Sequence, residues 1–342
     1  MRANPIEQRV GLTGDGFAPD GTWLHGNLGL ERLTAAGLEP VILPRPQEPT
    51  YLDEVGTVGS VISFSHAPFR ETELRACPDL RHIARFGAGH ESIDLDACTA
   101  YGVVATNTPE AIRRPLALAG LTLLLALSHN LLNKHRITVE GRWRERGGFR
   151  GRGVRDQTLG ILGFGNVGAE LAELAQPLGL NVIGTNRSGR NAEADRLGVP
   201  LVSPGELAER SDFLVLTAAL TADSRHMVDA KFLSRMKPTS FLINIGRGGL
   251  VDQAALRNAL QDETIAGAAL DVFDPEPVDP GDPLLGMKNV VLTPHSLCWT
   301  ADFAEDVTKS VFEAVIDVAQ GRRPKHLLNP EAWERDETEV HS

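Results

Sequence analysis

The stretch LGILGFGNVG, residues 159–168, is the part of the chain that decides its fold. An apolar run over Thr158–Leu162 predicts a buried strand, and three glycines follow it before a helical apolar pattern begins. The first glycine permits a tight turn, the second lets the main chain approach a pyrophosphate, and the third allows helix and strand to pack closely. The helix N-terminus adds N–H groups that favour phosphate. We therefore expect a dinucleotide site formed by Gly163, Phe164, Gly165, Asn166, Val167 and Gly168.

Strand and helix patterns alternate on both sides of this motif. Five strand candidates precede it, namely Arg9–Thr13, Pro40–Leu43, Val58–Ser63, Arg81–Phe86 and Val103–Thr106. A second and clearer series of strands and helices runs from Gln157 to about His295. Such alternation is typical of parallel sheets. The sequence therefore predicts an α/β protein with doubly wound parallel sheets.

The composition limits the classes of function. The chain has 342 residues, a formal net charge of −11, and 42% hydrophobic and 23% charged residues, as in an ordinary soluble globular protein. The acidic balance argues against a nucleic-acid partner, which needs a basic face. Cys77, Cys98 and Cys298 show no metal-site or disulfide spacing and no secretory signal precedes them, so we expect reduced thiols, no metal site and a cytoplasmic location. The apolar segment Leu116–Leu127 is too short to span a bilayer, and we expect a buried helix at a domain or subunit interface.

Three polar residues follow apolar runs in the second half of the chain: Arg247 in FLINIGRGG, Glu276 in ALDVFDPEP and His295 in VVLTPH. Ligands bind at the carboxyl ends of strands in an open α/β sheet. A guanidinium can grip a carboxylate and polarise the neighbouring carbonyl. An imidazole can donate a proton near neutral pH, and a carboxylate on its other nitrogen fixes its tautomer. We therefore expect these three residues to form a catalytic set for hydride transfer to a ketone.

The residues after the second strand of this series bear on the form of the dinucleotide. The predicted strand Asn181–Thr185 should end on an acidic residue if a ribose 2′-hydroxyl is bound. The chain has Asn186, Arg187 and Ser188 there instead, and a guanidinium can pair with a 2′-phosphate. We therefore expect NADP(H) to be preferred over NAD(H), with Arg190 as a weaker candidate contact.

The sequence resembles the D-isomer-specific 2-hydroxyacid dehydrogenase family. The matching segments are RFGAGHESID (85–94), LGILGFGNVG (159–168), INIGRGGLVD (243–252), GAALDVFDPEP (267–277), VVLTPHS (290–296) and HLLNPE (326–331). They follow the order and spacing of the family over most of the chain.

The resemblance implies roles for named residues. Arg247 would bind substrate, Glu276 and His295 would form the proton relay, and Asp271 would meet the nicotinamide carboxamide. The main chain of Gly87, Ala88 and Gly89 would hold the substrate carboxylate, as amides of a glycine-rich turn can do in an anion nest. The reaction implied is hydride transfer between NADP(H) and a small 2-keto or 2-hydroxy acid, as in glyoxylate or hydroxypyruvate reductases.

The resemblance also implies an architecture. Two Rossmann-like or flavodoxin-like domains are expected, with the coenzyme domain (113–299) inserted into a substrate domain (1–112 plus 300–342). Hinges would lie near 110–115 and 297–301. A long helix over 116–133 would join two copies in a homodimer.

The sequence also offers two further candidate residues and two alternative functions. Trp299 could line the substrate pocket and favour a bulkier substrate, and His66 is a weaker candidate near the substrate loop. One alternative is a phosphoglycerate dehydrogenase-like enzyme, although the segment after Val58–Ser63 lacks the arginines that such relatives place there. The other is a dinucleotide-sensing protein of the corepressor type, which keeps the same three polar residues.

Overall fold

The computed structural model of the protein describes residues 8–23, 28–64 and 67–334, so His66 lies outside the described residues. The chain divides into two compact units, Met1–Ile112 with Trp299–Ser342, and Arg113–Cys298. The strands are β1 Arg9–Leu12, β2 Glu39–Ile42, β3 Ser60–Ser63, β4 His82–Arg85, β5 Val104–Thr106, β6 Thr158–Leu162, β7 Asn181–Thr185, β8 Phe213–Leu216, β9 Phe241–Asn244, β10 Gly267–Leu270 and β11 Val290–Leu292. The helices are α1 Glu31–Ala35, α2 Tyr51–Val55, α3 Glu71–Ala76, α4 Leu95–Ala100, α5 Pro109–Ser128, α6 Leu131–Val139, α7 Asn166–Ala175, α8 Ala192–Leu197, α9 Pro204–Arg210, α10 Ala230–Leu233, α11 Gln253–Gln261 and α12 Ala301–Ala319.

Each unit contains one parallel sheet. In the first unit the strand order is β2-β1-β3-β4-β5, and in the second it is β11-β10-β9-β8-β6-β7. In both sheets the first strand along the chain has its two successors on opposite sides, which creates a topological switch point. The predicted α/β fold with two parallel sheets is confirmed.

Both faces of the second sheet are buried. Every residue of β8 is buried, and its side chains alternate between two apolar clusters. Phe213 and Val215 belong to one cluster, and Leu214 and Leu216 belong to the other. Because successive side chains of a strand face opposite sides, this division means that apolar residues cover both faces of the sheet, as in doubly wound folds.

The predicted helix over 116–133 is wrong in its bounds. Helix α5 begins at Pro109, where a missing N–H costs nothing in the first turn, and ends at Ser128. Asn130 then takes a left-handed φ of 53°, and α6 starts at Leu131. A Cβ on Gly120 would lie 2.8 Å from Ile245 Cδ1, so α5 packs closely on the second sheet.

The helix that contains the apolar segment Leu116–Leu127 is also longer than that segment. Helix α5 has 20 residues, and among the described residues it is the one helix long and apolar enough to cross a membrane by length and composition. The buried core helices of soluble proteins meet the same criterion.

Candidate active site

The glycine loop after β6 has the geometry that a dinucleotide requires. Gly163 has a φ of +99°, and a Cβ there would lie 2.3 Å from the Ala218 nitrogen. A Cβ on Gly168 would lie 2.9 Å from Ile161 Cγ2, so α7 packs directly on β6. A Cβ on Gly165 would meet only the Gly163 oxygen, at 3.9 Å, so the space beside this main chain can take a ligand. These features fit a bound pyrophosphate.

The first turn of α7 can donate to a phosphate. Asn166 and Val167 begin this helix, and its N-cap residue is Gly165. Because a glycine has no side chain to accept the first amide hydrogens, those N–H groups can serve an anion. The predicted site residues Gly165, Asn166 and Val167 therefore lie together at the carboxyl end of β6.

Phe164 differs from the other loop residues, because it faces inward. Its side chain is 1% exposed, and a Cβ on Gly184 would lie 2.6 Å from the Phe164 ring. Its N–H donates to the Thr185 oxygen at 2.7 Å, and its carbonyl accepts from Asn186 Nδ2 at 3.4 Å. Phe164 thus anchors the glycine loop to β7 from the core side.

The turn after β7 carries the residues predicted to select the dinucleotide. Asn186 Nδ2 donates to the Arg190 oxygen at 3.0 Å, and Ser188 Oγ donates to the same oxygen at 2.8 Å. These bonds close residues 186–190 into a turn on which Arg187 and Arg190 are exposed. Leu162 pairs with Thr185, so this turn and the glycine loop leave the same edge of the sheet.

Arg247 is presented by a turn that Asn244 organises. Asn244 is the last residue of β9 and is 1% exposed. Its Oδ1 accepts from the Gly246 N–H at 3.1 Å, and its Nδ2 donates to the Arg247 oxygen at 3.0 Å. An Asn that bonds the main chain two or three residues further on is a common way to fix a turn. The side chain of Arg247 is half-buried, and its Nη1 donates to the Gly246 oxygen at 2.8 Å.

The two residues predicted to form a proton relay, His295 and Glu276, are in direct contact. His295 Nδ1 lies 2.7 Å from Glu276 Oε2, and the two side chains are 34% and 31% exposed. The Phe273 N–H donates to Glu276 Oε1 at 2.9 Å, which fixes the carboxylate. His295 has a left-handed φ of 53°. With Nδ1–H donating to Glu276, the ring would exchange a proton with a substrate through Nε2.

The position of Glu276 differs from the strand-end placement that the sequence suggested. Strand β10 ends at Leu270, so Glu276 lies six residues further on, in the loop that leaves the sheet. Arg247 and His295 each follow the end of their strand by three residues. Because β9, β10 and β11 are parallel neighbours, the three loops still leave the same edge of the sheet.

Asp271 is buried and bonds the segment that carries His295. It is 1% exposed, and its Oδ1 accepts from Thr293 Oγ1 at 2.7 Å and from the Ser296 and Leu297 amides at 3.1 and 3.3 Å. Burial and the nearby Asp271 carboxylate raise the pKa of the Cys298 thiol to about 12. The contact of Asp271 with the nicotinamide stays a prediction.

The predicted carboxylate nest lies in the first unit. Gly87 has a φ of +124°; its N–H donates to Thr108 Oγ1 at 2.9 Å, and its carbonyl accepts from the Thr108 N–H at 3.0 Å. Asn107 Nδ2 donates to the Ala88 oxygen at 2.8 Å. Within residues 8–23, 28–64 and 67–334, the amides of Ala88 and Gly89 donate to no protein acceptor. They are therefore available to an anion.

Sequence reasoning missed the residues that hold these loops. Asn107 and Thr108 fix the nest, Asn244 fixes the Arg247 turn, and Thr293 joins the His295 segment to Asp271. Only Asn244 carried a local signal, since an Asn at a strand end commonly forms such a turn. Trp299, in the first unit, is 50% exposed, and its place in a substrate pocket stays a prediction.

Comparisons with known proteins show the family to which the chain belongs. The family model described as D-isomer specific 2-hydroxyacid dehydrogenase, NAD binding domain, matches residues 121–296. The glyoxylate reductase of Korarchaeum cryptofilum is 34% identical over 289 residues, which are 84% of this chain and 87% of that protein. This chain belongs to the D-isomer-specific 2-hydroxyacid dehydrogenase family.

Other members of the family are similarly close. The glyoxylate reductase of Aeropyrum pernix is 36% identical over 264 residues, covering 75% of this chain and 79% of that protein. The crystal structure of an NADPH-dependent glyoxylate/hydroxypyruvate reductase from Sinorhizobium meliloti, in complex with NADP and malonate, superposes with a TM-score of 0.82 at 28% identity. It covers 95% of this chain and 98% of that one.

Membership confirms the family predicted from the motifs, and with it the enzyme class. As a D-isomer-specific 2-hydroxyacid dehydrogenase, the protein is an oxidoreductase acting on CH–OH groups, and its second unit is a nicotinamide dinucleotide-binding domain. The domain bounds drawn from the sequence and the roles of individual residues stay predictions.

Proposed function

We propose that the protein reduces small 2-keto acids of the glyoxylate or hydroxypyruvate kind to 2-hydroxy acids with NADPH. The observation that carries the proposal is the 2.7 Å contact between His295 Nδ1 and Glu276 Oε2, on the sheet edge that also carries the glycine loop and Arg247. The relatives named as glyoxylate reductases support the small keto-acid substrate.

Each side chain has a chemical task in this reaction. A nicotinamide dinucleotide held by the glycine loop, residues 163–168, would supply the hydride that reduces the keto carbon. His295 gives its Nε2 proton to the carbonyl oxygen, while Glu276 keeps the ring in the productive tautomer and compensates its charge. Arg247 binds the anionic substrate and polarises its carbonyl. The amides of Ala88 and Gly89 donate to the substrate carboxylate.

The preference for NADPH rests on the turn after β7. Arg187 and Arg190 are both exposed on this turn, and within its residues 186–190 no carboxylate competes with a 2′-phosphate. A fork of guanidinium donors suits a phosphate well. The relative from Sinorhizobium meliloti is named as NADPH-dependent, which supports the same preference.

A homodimer and a cytoplasmic location are part of the same proposal. Helices α5 and α6 and the segment after them expose large apolar side chains, namely Leu118, Leu131, Leu132, Val139 and Trp143. Exposed apolar groups of this kind are typical of protein interfaces. A second copy of the chain would cover them, and light scattering after gel filtration would give twice the monomer mass of 36.9 kDa.

The test is a panel of 2-keto acids assayed with NADPH and with NADH, on the wild type and on Arg247→Ala and His295→Ala. We expect turnover of small 2-keto acids, a higher kcat/KM with NADPH, and losses in both variants. The binding of NADPH with full inertness toward every keto acid would instead favour a dinucleotide-sensing role. Preferred turnover of phosphoglycerate would favour the phosphoglycerate dehydrogenase alternative, and a clear preference for NADH would overturn the cofactor assignment.

A further inference from the structure

A buried arginine, Arg85, lies next to the segment 86–89, which contains the carboxylate nest and is called the nest segment below. Arg85 is the last residue of β4 and is 7% exposed. Its Nε donates to the Gly89 oxygen at 3.0 Å, and its Nη1 donates to the Phe86 oxygen at 2.7 Å. The same Nη1 donates to the oxygens of Ser63 and Phe64, at 3.0 and 3.1 Å. One guanidinium therefore joins the end of β3 to both ends of the nest segment.

The carbonyls of the nest segment are all held by the protein. Arg85 takes those of Phe86 and Gly89, the Thr108 N–H takes that of Gly87, and Asn107 Nδ2 takes that of Ala88. In a planar trans peptide the N–H of one residue points away from the carbonyl of the residue before it, so the Gly87 and Ala88 carbonyls determine where the Ala88 and Gly89 amides point. Thr108 and Asn107 hold those two carbonyls, and Arg85 holds the peptide units on either side of them, so together these residues fix the direction in which the Ala88 and Gly89 amides donate.

Arg85 also contributes charge. A buried cation interacts more strongly with a nearby anion than an exposed one does, because less water screens it. A planar guanidinium with five donors can bond four carbonyls from fixed positions, whereas an ammonium offers three donors on a flexible stem. The site therefore needs an arginine for its geometry as well as a cation for its charge.

We propose that Arg85 is the positioning residue of the substrate carboxylate site, which it shapes through the main chain and favours through its charge. It acts through Ala88 and Gly89 and is not itself catalytic. This inference rests on the proposed function, in which those amides bind the carboxylate of a 2-keto acid.

The chain provides a matched control. Arg81 stands just before the other end of β4, is exposed, and also donates from Nη1 to main-chain carbonyls, those of Pro78 and Leu80 at 2.8 and 3.3 Å. Arg81→Met removes the same number of charges and methylenes as Arg85→Met, without touching the nest. A difference in oxamate affinity between the two variants would therefore come from the position of Arg85 and not from the loss of a charge alone.

The experiment measures carboxylate binding apart from turnover. Oxamate, an unreactive isostere of pyruvate, is titrated by calorimetry into the NADPH complexes of wild type, Arg85→Met, Arg85→Lys and Arg81→Met. We expect Arg85→Met to weaken oxamate binding and raise the KM of the keto acid by about tenfold or more, which corresponds to about 1.4 kcal/mol. The oxamate affinity of Arg85→Lys should lie between those of Arg85→Met and wild type. Arg81→Met should bind oxamate as wild type does, and the KM of NADPH should not change in any variant. Added guanidinium chloride at millimolar concentration should restore part of the oxamate affinity of Arg85→Met.

The outcomes separate this inference from the proposed function. Unchanged oxamate affinity in folded Arg85→Met, or an equal loss in Arg81→Met, would overturn the role of Arg85 even if the wild type reduces keto acids. If Arg85→Met does not fold, Arg85→Lys decides in the same way, because wild-type affinity in that variant would contradict the need for the arginine fork. If the wild type binds oxamate in an Arg85-dependent manner but reduces no keto acid, the proposed function fails and the site assignment stands.

Discussion

Gly248 packs against Phe273 so closely that a Cβ on the glycine would lie 1.9 Å from the Phe273 carbonyl carbon. Gly248 follows Arg247, and Phe273 donates its N–H to Glu276. The close approach of these two main chains therefore brings the arginine loop against the loop of the proton relay. Among the glycines in the described part of the chain, Gly248 is the one at which an added Cβ would come closest to its neighbours.

Gly248→Ala should displace one of these two loops. We expect it to lower the free energy of unfolding by about 3 kcal/mol, the upper range for overpacking, and to reduce kcat/KM by more than tenfold because both loops carry reacting groups. Urea unfolding and steady-state kinetics measure the two effects. Gly286→Ala is the control, since a Cβ there has no neighbour within 4 Å. Equal stability and equal kcat/KM in the two variants would show that the contact between Gly248 and Phe273 is important neither for folding nor for activity.

Replacing the acid of the relay should affect chemistry more than binding. By the range usual for general acids, His295→Asn should lower kcat by about 10²–10⁴-fold and leave the affinity for NADPH unchanged. Glu276→Gln should give a smaller loss, since the imidazole stays in place but loses the carboxylate that holds its tautomer. Single-turnover kinetics separate the hydride-transfer step from product release. A His295→Asn enzyme with near wild-type kcat would rule out the proton-donor role.

The elements with strong local signals were predicted well. The bounds of β6 and β7, Thr158–Leu162 and Asn181–Thr185, match the sequence interpretation, because apolar runs bounded by glycines and polar turns leave little choice. The helix predicted over 116–133 begins after the start of α5 and runs past its end. Asn130, in a left-handed conformation, interrupts the helix although the sequence pattern stays apolar on both sides of it.

The sequence pointed to the residues of the candidate site but not to the residues that hold them in place. His295 and Glu276 could be found because polar residues after apolar runs are conspicuous. Thr108 supports the nest from a position about twenty residues away, and nothing near it in the sequence marks this task. Contacts between distant segments depend on how the strands are ordered, which local patterns do not specify.

The buried His82 makes the stability of the protein depend on pH. Its Nε2 lies 2.9 Å from Thr106 Oγ1, and burial lowers the pKa of His82 from 6.5 to about 3. Because the folded state binds the proton less readily than the unfolded chain, His82 costs nothing above pH 6.5, and its destabilising effect grows as the pH falls from 6.5 toward 3. At pH 5 the free energy of unfolding should be about 2 kcal/mol lower than at pH 8 from this group alone.

Urea unfolding of His82→Gln and of the wild type between pH 4.5 and 8 tests this effect, with spectroscopic readout. We expect a shallower loss of stability below about pH 6.5 in His82→Gln, because glutamine does not titrate. The control His135→Gln removes an exposed histidine on α6 and should follow the wild-type curve. Parallel curves for His82→Gln and wild type would contradict a neutral buried His82.

Arg187 should decide the choice between the two dinucleotides. If its guanidinium pairs with the 2′-phosphate, Arg187→Ala raises the KM of NADPH by about 10- to 150-fold, because a charge-assisted hydrogen bond contributes about 1.5–3 kcal/mol, and leaves the KM of NADH unchanged. Arg190→Ala should have a smaller effect in the same direction. Arg196, on α8, pairs with Glu193 at 2.8 Å, and Arg196→Ala serves as the control for the loss of one surface charge. Since all three variants lower the positive charge by one unit, a general electrostatic effect would raise the KM of NADPH equally in each. A specific contact would instead raise the KM of NADPH in Arg187→Ala but not in Arg196→Ala, at every salt concentration. This difference is the result we expect.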